Sequence, residues 1–144
     1  MKIFGIIPAR MAASRFPGKP LHPIKGKTML EHVYQRADMF KEWDVLTVAT
    51  CDEEIKEFCL TNNFPVVMTG SHHTRALDRV AEAVANFKDN ANENDIVVCV
   101  QGDEPMMRPD MIDTVIKPLL NEESIGCTVL AMHSTAIPSD HLRH

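Results

Sequence analysis

The fold is indicated by residues 3–20, which read IFGIIPARMAASRFPGKP. A continuous apolar run at residues 3–7 leads directly into a loop rich in small and basic residues. Runs that are apolar throughout are typical of strands covered on both faces, as in parallel sheets. Because ligands of such sheets bind beyond the carboxyl ends of the strands, this segment predicts both an α/β fold and the position of its site.

Four further apolar runs follow this segment in the sequence, with helical patterns between them. The runs are residues 45–49, 66–68, 96–100 and 127–132. Strands that alternate with helices across short loops predict a Rossmann-like, mostly parallel sheet with helices on both faces. We expect residues 1–144 to form a single α/β domain.

Capping residues, prolines and apolar stripes predict the helices. Thr28 followed by Glu31 is typical of a capping box, and Asp52 can cap the next helix. Pro109 suits a first helical turn, whereas Pro118 should end or bend the same helix. The third helix is predicted from an apolar stripe made of Leu77, Val80, Ala81, Val84 and Phe87.

Charge is distributed unevenly along the chain, whose net charge is −5. Residues 1–30 contain six basic residues and no acidic one, so residues 31–144 carry a net charge of −11. A basic block in an acidic chain predicts an anionic ligand near the N-terminus. The acidic remainder would repel a long polyanion, which argues against general nucleic-acid binding.

Other protein classes are excluded by hydropathy and by cysteine spacing. No apolar run approaches the roughly 18 residues of a membrane span, and the N-terminus lacks a signal-peptide core. We therefore expect a soluble, cytoplasmic protein without a membrane partner. The four cysteines lack zinc-site spacing and are expected to be small buried residues. Since adjacent side chains diverge, His72-His73 is interpreted as a loop dipeptide and not as a metal pair.

The loop at residues 8–20 has the composition of a phosphate-binding segment. It carries three cations and no acid, and its small residues allow a ligand to approach the backbone. Arginine presents a planar fork to phosphate oxygens, and lysine presents a mobile charge. Neither a Walker loop nor a dinucleotide fingerprint is present, so a polyphosphate is predicted here, with a solvated basic loop as the alternative. The predicted binding residues are Pro8, Ala9, Arg10, Ser14, Arg15 and Lys19.

A second strand end places a carboxylate at the same edge of the predicted sheet. Residues 101–103, Gln-Gly-Asp, follow the most apolar strand. Mg²⁺ prefers carboxylates together with substrate phosphates. We therefore predict Asp103 as a magnesium ligand, the alternative being a turn residue at a strand–loop junction.

Two further strand ends offer candidates with open alternatives. Thr50 and Asp52 are placed to contact a base or ribose, although Asp52 suits a plain helix cap equally well. Asp78 and Arg79, near the start of the third helix, either pair with neighbouring residues or reach the ligand.

Several motifs together resemble the 3-deoxy-manno-octulosonate cytidylyltransferases (CMP-KDO synthetases). Residues 6–10 read IIPAR, residues 14–21 read SRFPGKPL, and residues 101–105 read QGDEP. The resemblance implies the nucleotide-diphospho-sugar transferase fold. It also implies a reaction for lipopolysaccharide synthesis, in which the anomeric hydroxyl of an eight-carbon sugar acid attacks the α-phosphate of CTP and pyrophosphate leaves.

Residue roles follow from the same resemblance. It implies that Arg10, Arg15 and Lys19 hold the triphosphate and neutralise developing charge. It implies that Asp103 binds Mg²⁺ and that Gln101 faces the sugar. Catalysis of this kind depends on positioning and electrostatics more than on covalent chemistry.

The chain also departs from the family pattern. Cys51 stands where the family has an aspartate, and residues 75–77, Arg-Ala-Leu, replace its Ser-Gly-Thr. Family members are about 250 residues long, so we expect an amino-terminal nucleotide-binding portion, without the homodimer contact and the second metal-binding aspartate. These departures keep two alternatives open: a non-catalytic nucleotide-binding module, or a nucleotidyltransferase for a different sugar.

Overall fold

The computed structural model describes residues 1–12, 15–87 and 90–130. The strands are β1 (Ile3–Pro8), β2 (Pro23–Ile24), β3 (Lys27–Thr28), β4 (Val45–Thr50), β5 (Val66–Met68) and β6 (Ile96–Cys99). The helices are α1 (Met29–Asp38), α2 (Glu53–Thr61), α3 (Ala76–Ala85) and α4 (Pro109–Asn121), with a 3₁₀ turn at Lys19–Leu21. None of these helices is long and apolar enough to cross a bilayer.

Four strands form one parallel sheet in the order β5-β4-β1-β6. In the centre, β1 pairs with β4 on one side, where Phe4 lies opposite Val45. On its other side Ile3 lies opposite Ile96 of β6. The chain moves outward from β1 to β5 and then returns to place β6 on the far side of β1. Such a reversal of strand order creates a ligand crevice beyond the carboxyl ends of the central strands.

Helices cover both faces of the sheet, because side chains alternate along β1. Ile7 packs in one cluster with α1 and α2, and α4 covers the β6 end of the same face through Ile112 and Ile116. On the opposite face, Phe4 and Ile6 pack against α3. The predicted Rossmann-like architecture is therefore confirmed.

Local sequence signals were right at α1 and incomplete elsewhere. Thr28 Oγ1 accepts a hydrogen bond from the Glu31 amide at 3.1 Å, as the capping motif predicts. The small antiparallel pair β2–β3 was not predicted. Its turn at Lys25 and Gly26 has positive φ angles of 51° and 83°, a conformation that makes a tight hairpin from very few residues.

The prediction of a fifth strand at residues 127–132 is wrong over the part that the structure describes. Residues 127–130 form no strand, and residues 131–132 lie outside the described residues. Val129 is 84% exposed, so its apolar side chain has no covering layer. An apolar run becomes a strand only where a neighbouring strand accepts its backbone hydrogen bonds.

Three side-chain predictions also need correction. Of the two alternatives for Pro118, an end of the helix is wrong, because α4 continues to Asn121 with Ile112 and Ile116 packed against the sheet; a bend stays a prediction. Leu77 lies outside the core and is exposed on the first turn of α3. Among the free cysteines, Cys59 is buried as expected, Cys51 and Cys99 are half-buried, and Cys127 is exposed.

Candidate functional site

The loop after β1 (residues 9–18, here the cationic loop) is described at residues 9–12 and 15–18, and these two parts meet at the carboxyl edge of the sheet. The Gly18 amide donates to the Met11 carbonyl at 2.8 Å, which closes the loop. Gly18 has a φ of 74°, which a glycine adopts without steric cost. The Lys19–Leu21 turn begins directly after it. Lys19 is therefore held at the rim of the loop by a rigid turn.

The opposite end of the cationic loop is held by Asp52. Its carboxylate accepts a hydrogen bond from the Met11 amide at 2.8 Å and makes no side-chain cap to its own helix. The expectation that Asp52 caps α2 is therefore wrong for its side chain, although the residue occupies the N-cap position. Thr50 is fully buried, and its hydroxyl accepts from the Asp52 amide. Ligand contacts by Thr50 and Asp52 stay a prediction.

Lys19 and Asp103 face each other across the crevice between β1 and β6. Lys19 Nζ lies 3.7 Å from Asp103 Oδ2, and the two side chains are 38% and 56% exposed. An exposed pair at this distance contributes at most about 1 kcal/mol to stability, so both groups are free to turn toward a ligand. The two segments that the sequence singled out thus lie on one side of the sheet.

Gly102 makes this approach possible. A Cβ atom at this position would lie 2.7 Å from the Pro8 carbonyl oxygen, a backbone atom that cannot move aside cheaply. The end of β6 therefore packs directly on the end of β1. This contact sets where Asp103 emerges.

Asp103 is a single carboxylate and not part of a preformed metal cage. Across residues 1–12, 15–87 and 90–130, no group of three or more His, Cys, Asp or Glu side chains could hold a metal ion. Mg²⁺ is commonly held by one or two carboxylates, with waters and substrate phosphates completing the octahedron. One carboxylate beside a loop that is predicted to bind phosphate fits that type of site.

A second concave region, the arginine cleft, adjoins the cationic loop. It has a volume of about 140 Å³ and lies between the end of β1 and the loop that connects β5 to α3. Three arginines give it a positive potential. The lining residues are Pro8, Ala9, Arg10, His73, Thr74, Arg75, Ala76 and Arg79.

Arg79 is the most buried charge of the cleft, with 3% of its surface exposed. Its guanidinium donates to Thr69 Oγ1 at 2.5 Å and to the Gly70 carbonyl at 3.2 Å. Within the described residues it makes no ion pair with a carboxylate. A desolvated cation with only neutral partners favours a ligand that carries acceptor atoms or negative charge.

Asp78 forms an ion pair with its neighbour Arg75. Arg75 Nε lies 3.0 Å from Asp78 Oδ2, and a second nitrogen lies 3.3 Å from the other oxygen. This bidentate pair is exposed at the mouth of the cleft. Of the two alternatives left open from the sequence, pairing with a neighbour applies to Asp78, whereas Arg79 lines the cleft.

The remaining predicted residues differ in exposure, and one of them is not described by the structure. Arg10, Arg15 and Gln101 are exposed at the carboxyl edge, and Ala9 is buried. Ser14 lies outside the described residues. Sequence reasoning also missed His73, in the loop between β5 and α3, and Glu82, on α3, which bond each other. The rings of His72 and His73 do not diverge, since their centroids lie 4.2 Å apart.

Comparisons with known proteins agree with this architecture. A model of the cytidylyltransferase family matches residues 4–141. The 3-deoxy-manno-octulosonate cytidylyltransferase of Nitratidesulfovibrio vulgaris (strain DP4) is 41% identical over 133 residues, which cover 92% of this chain and 52% of that protein. The 8-amino-3,8-dideoxy-manno-octulosonate cytidylyltransferase of Shewanella frigidimarina is 43% identical over 116 residues, covering 81% and 46%.

Solved structures give the same grouping. A CMP:2-keto-3-deoxy-manno-octonic acid synthetase complexed with CTP superposes with a TM-score of 0.79 at 34% identity, over 87% of this chain and 50% of that one. A 4-diphosphocytidyl-2C-methyl-D-erythritol synthase, 18% identical with a TM-score of 0.65 over 84% of this chain and 55% of that one, shares the fold. The chain spans about half the length of the curated relatives it matches. By the match over residues 4–141, the chain belongs to the cytidylyltransferase family.

Proposed function

We propose that the chain binds CTP at the carboxyl edge of its sheet and transfers the cytidylyl group to a sugar acid of the 3-deoxy-manno-octulosonate type. The sugar hydroxyl oxygen forms a bond to the α-phosphorus, and the bond from that phosphorus to the bridging oxygen breaks. Pyrophosphate leaves, and the hydroxyl proton passes to solvent. The products are a CMP-sugar and pyrophosphate.

The observation that carries the proposal is the approach of Lys19 to Asp103 across the crevice, 3.7 Å between Nζ and Oδ2. A cation on the β1 loop and a carboxylate after β6 form the two halves of a site for a phosphate chain and its counter-ion. The relatives support the choice of nucleotide, since they are named as cytidylyltransferases and one solved relative is complexed with CTP.

Phosphoryl transfer needs positioning and charge stabilisation more than covalent help from the protein. Arg10 and Arg15 present planar donors to phosphate oxygens, and Lys19 adds a mobile charge at the rim. These groups act on charge that develops as pyrophosphate leaves. Removal of one such preorganised contact costs about 3 kcal/mol in the barrier to reaction.

Asp103 is the residue that would hold Mg²⁺. When bound, the ion supplies charge neutralisation to the phosphate oxygens. The contribution of the chain is the carboxylate, whose position depends on the packing of Gly102 on β1. The exposed Gln101, one residue before Gly102, is proposed to face the sugar acid.

The test of the proposed function is pyrophosphate release in the presence of CTP, Mg²⁺ and 3-deoxy-manno-octulosonate, measured beside a calorimetric titration with CTP. We expect saturable CTP binding together with pyrophosphate release that needs the sugar acid. A protein that neither binds CTP nor releases pyrophosphate would refute the proposal.

Asp103→Asn is expected to abolish the dependence of CTP binding and turnover on Mg²⁺, because the amide carries no charge for the ion. Calorimetric CTP titrations with and without Mg²⁺ measure this difference. Asp113→Asn, on the exposed face of α4, is the matched control. An unchanged magnesium response in Asp103→Asn would remove Asp103 from the site.

The second candidate function is a nucleotide-binding module without turnover. The observation that favours it is the Arg75–Asp78 pair at the mouth of the cleft, where residues 75–77 differ from the family pattern. CTP binding without pyrophosphate release would support this candidate. Release with the 8-amino sugar acid alone would instead indicate a nucleotidyltransferase for a different sugar.

A further inference from the structure

Two side chains of α3, one helical turn apart, hold the loop of residues 69–75 that forms a wall of the arginine cleft. The Gly70 amide donates to both carboxylate oxygens of Glu82, at 2.9 and 3.2 Å. The Gly70 carbonyl accepts from Arg79 at 3.2 Å. Both backbone groups of Gly70 are therefore bound to the helix. The same Glu82 carboxylate bonds Nε2 of His73, which lines the cleft.

The protonation of Glu82 determines which nitrogen of His73 carries the proton. Hydrogen bonds from His73 and from the Gly70 amide lower the pKa of Glu82 below its ordinary value, so the group is a carboxylate at neutral pH. A carboxylate can only accept hydrogen bonds. Nε2 of His73 must therefore be the donor, and in the neutral ring Nδ1 is left with a lone pair.

This Nδ1 atom is open to a ligand. Among the residues that the structure describes, His73 hydrogen-bonds through Nε2 to Glu82, and Nδ1 has no protein partner. Every buried side-chain nitrogen or oxygen in the same residues has a hydrogen-bond partner. Since Nδ1 has none, it is not buried, and a ligand can reach it. The ring is supported on one side by His72, whose centroid lies 4.2 Å away. The cleft thus combines one fixed acceptor with the guanidinium donors of Arg10 and Arg79.

Pyrimidine bases differ in the groups that such a cleft can read. Cytosine carries an amino donor at C4, where uracil carries a carbonyl acceptor. Both bases share the O2 acceptor, which suits an arginine donor. An acceptor fixed at Nδ1 can accept a hydrogen bond from the cytosine amino group. With uracil, the C4 carbonyl would face the lone pair of Nδ1, and no hydrogen bond could form. Buried mismatches of this kind discriminate strongly between two ligands.

We propose that His73, held in one tautomer by Glu82, is a specificity-determining residue that selects a cytosine nucleotide over a uracil nucleotide. Glu82 acts through His73 and is a positioning residue. The inference rests on the proposed function, because it requires that the nucleotide bound at the cationic loop extends its base into the arginine cleft.

Glu82→Gln tests the tautomer directly. The amide oxygen can still accept from the Gly70 amide, while the amide nitrogen now donates to His73 Nε2 and moves the ring proton to Nδ1. The acceptor of the cleft becomes a donor. We expect the ratio of CTP to UTP affinity, measured by calorimetry on the full chain with Mg²⁺, to fall about tenfold, the effect of one lost hydrogen bond.

The matched control is Glu57→Gln, an exposed substitution on α2 that leaves the cleft intact. His73→Phe and His73→Asn provide an independent pair, since phenylalanine lacks an acceptor and asparagine restores one near the Nδ1 position. We expect His73→Phe to lose the CTP preference and His73→Asn to retain a larger part of it. Thermal unfolding of each variant shows whether the fold is kept.

The possible outcomes distinguish a failure of this inference from a failure of the proposed function. Equal weakening of CTP and UTP in Glu82→Gln indicates a merely structural role and overturns the inference. The same conclusion follows if His73→Asn resembles His73→Phe, or if the unaltered chain prefers UTP. A chain that binds neither nucleotide refutes the proposed function as well, whereas a CTP preference unaffected by all three variants refutes only the role of His73 and Glu82.

Discussion

Lys19 illustrates how a residue can be well placed without contributing much to stability. Its ammonium group lies 3.7 Å from Asp103 in a partly exposed setting, and such pairs are worth at most about 1 kcal/mol. What fixes its position is the backbone: the Gly18 turn before it and the 3₁₀ turn that it begins. Its side chain is therefore available for a ligand.

Lys19→Ala is expected to weaken CTP binding about tenfold or more while changing CMP binding little, because one charge-assisted contact to the outer phosphates is lost. Calorimetric titration with both nucleotides measures the difference. Lys41→Ala is the matched control, since Lys41 follows α1 at the opposite edge of the sheet. Equal losses for CTP and CMP would contradict this placement of Lys19.

Gly102→Ala is expected to destabilise the fold by about 1–3 kcal/mol and to impair CTP binding, because the new methyl group must displace the Pro8 carbonyl. Urea unfolding and a CTP titration measure the two effects. Gly126→Ala is the control, since an added Cβ there meets no atom within 4 Å. Normal affinity in Gly102→Ala would show that the β1–β6 contact does not set the position of Asp103.

Charged residues that are predicted to bind a ligand were easier to identify from the sequence than residues whose role is to pack against or bond other residues of the site. The cations of the cationic loop and Asp103 were found from composition and from their position after strands. Gly102, His73 and Glu82 were not, because their roles depend on atoms brought together by folding. The Gly-Asp spacing of residues 102–103 after a strand was the one local signal for Gly102.

At the scale of elements, the cationic loop and α2 are linked by Asp52. Its carboxylate accepts from the Met11 amide, so α2 begins without a side-chain cap. Glu53 and Glu54 occupy its first turn, where negative charge compensates the helix dipole. The start of α2 therefore does not need the Asp52 side chain as a cap, and this side chain can bond the cationic loop.

Asp52→Ala is expected to loosen the cationic loop and to leave the helices intact. Hydrogen exchange at the Met11 amide should accelerate about tenfold or more, since a hydrogen bond to a charged group contributes about 1.5–3 kcal/mol. CTP affinity should fall as well, because the loop is no longer held in place. Asp113→Asn serves again as the control. Unchanged exchange at Met11 would contradict the bracing role.

Long, buried elements were predictable, whereas short ones and chain segments without a partner were not. The continuous apolar runs identified β1, β4, β5 and β6, because burial on both faces leaves a strong sequence pattern. The β2–β3 pair has two residues a strand, too few for any periodicity. At residues 127–130 the apolar pattern was present, but a neighbouring strand was not.

At the scale of the whole molecule, the N-terminus is fastened at the amino edge of the sheet, far from the site. The Lys2 amide donates to Asp95 at 2.7 Å, and the Ile3 amide donates to Asp44 at 2.7 Å. The six cations of residues 1–30 thus do not form one patch, since Lys2 lies at this edge. Arg10, Arg15 and Lys19 lie at the carboxyl edge, where the anion-binding site is proposed, and the prediction from charge asymmetry depends on these three residues.

Stability should depend on pH through Asp95. Hydrogen bonds from the Lys2 and Asn92 amides hold the pKa of Asp95 below its ordinary value of 3.8. A lowered pKa stabilises the folded state above the ordinary value, and this contribution is lost as the pH falls through the lowered pKa. Asp95→Asn should therefore lose less free energy of unfolding on acidification than the unaltered chain.

Urea unfolding at neutral pH and below the ordinary pKa of aspartate measures this difference, with Asp113→Asn as the control. Identical pH dependence in the Asp95 variant and the unaltered chain would contradict the assignment.

The central place of β1 has a consequence for biosynthesis. Within the sheet, β1 is synthesised before both of its neighbours, yet its second edge stays open until residues 96–99 have been made and can pair with it. Until then, an apolar strand with unpaired backbone amides is exposed to solvent or to a chaperone. The nascent chain is therefore most prone to aggregate during the interval in which β1 and β4 have been synthesised but β6 has not.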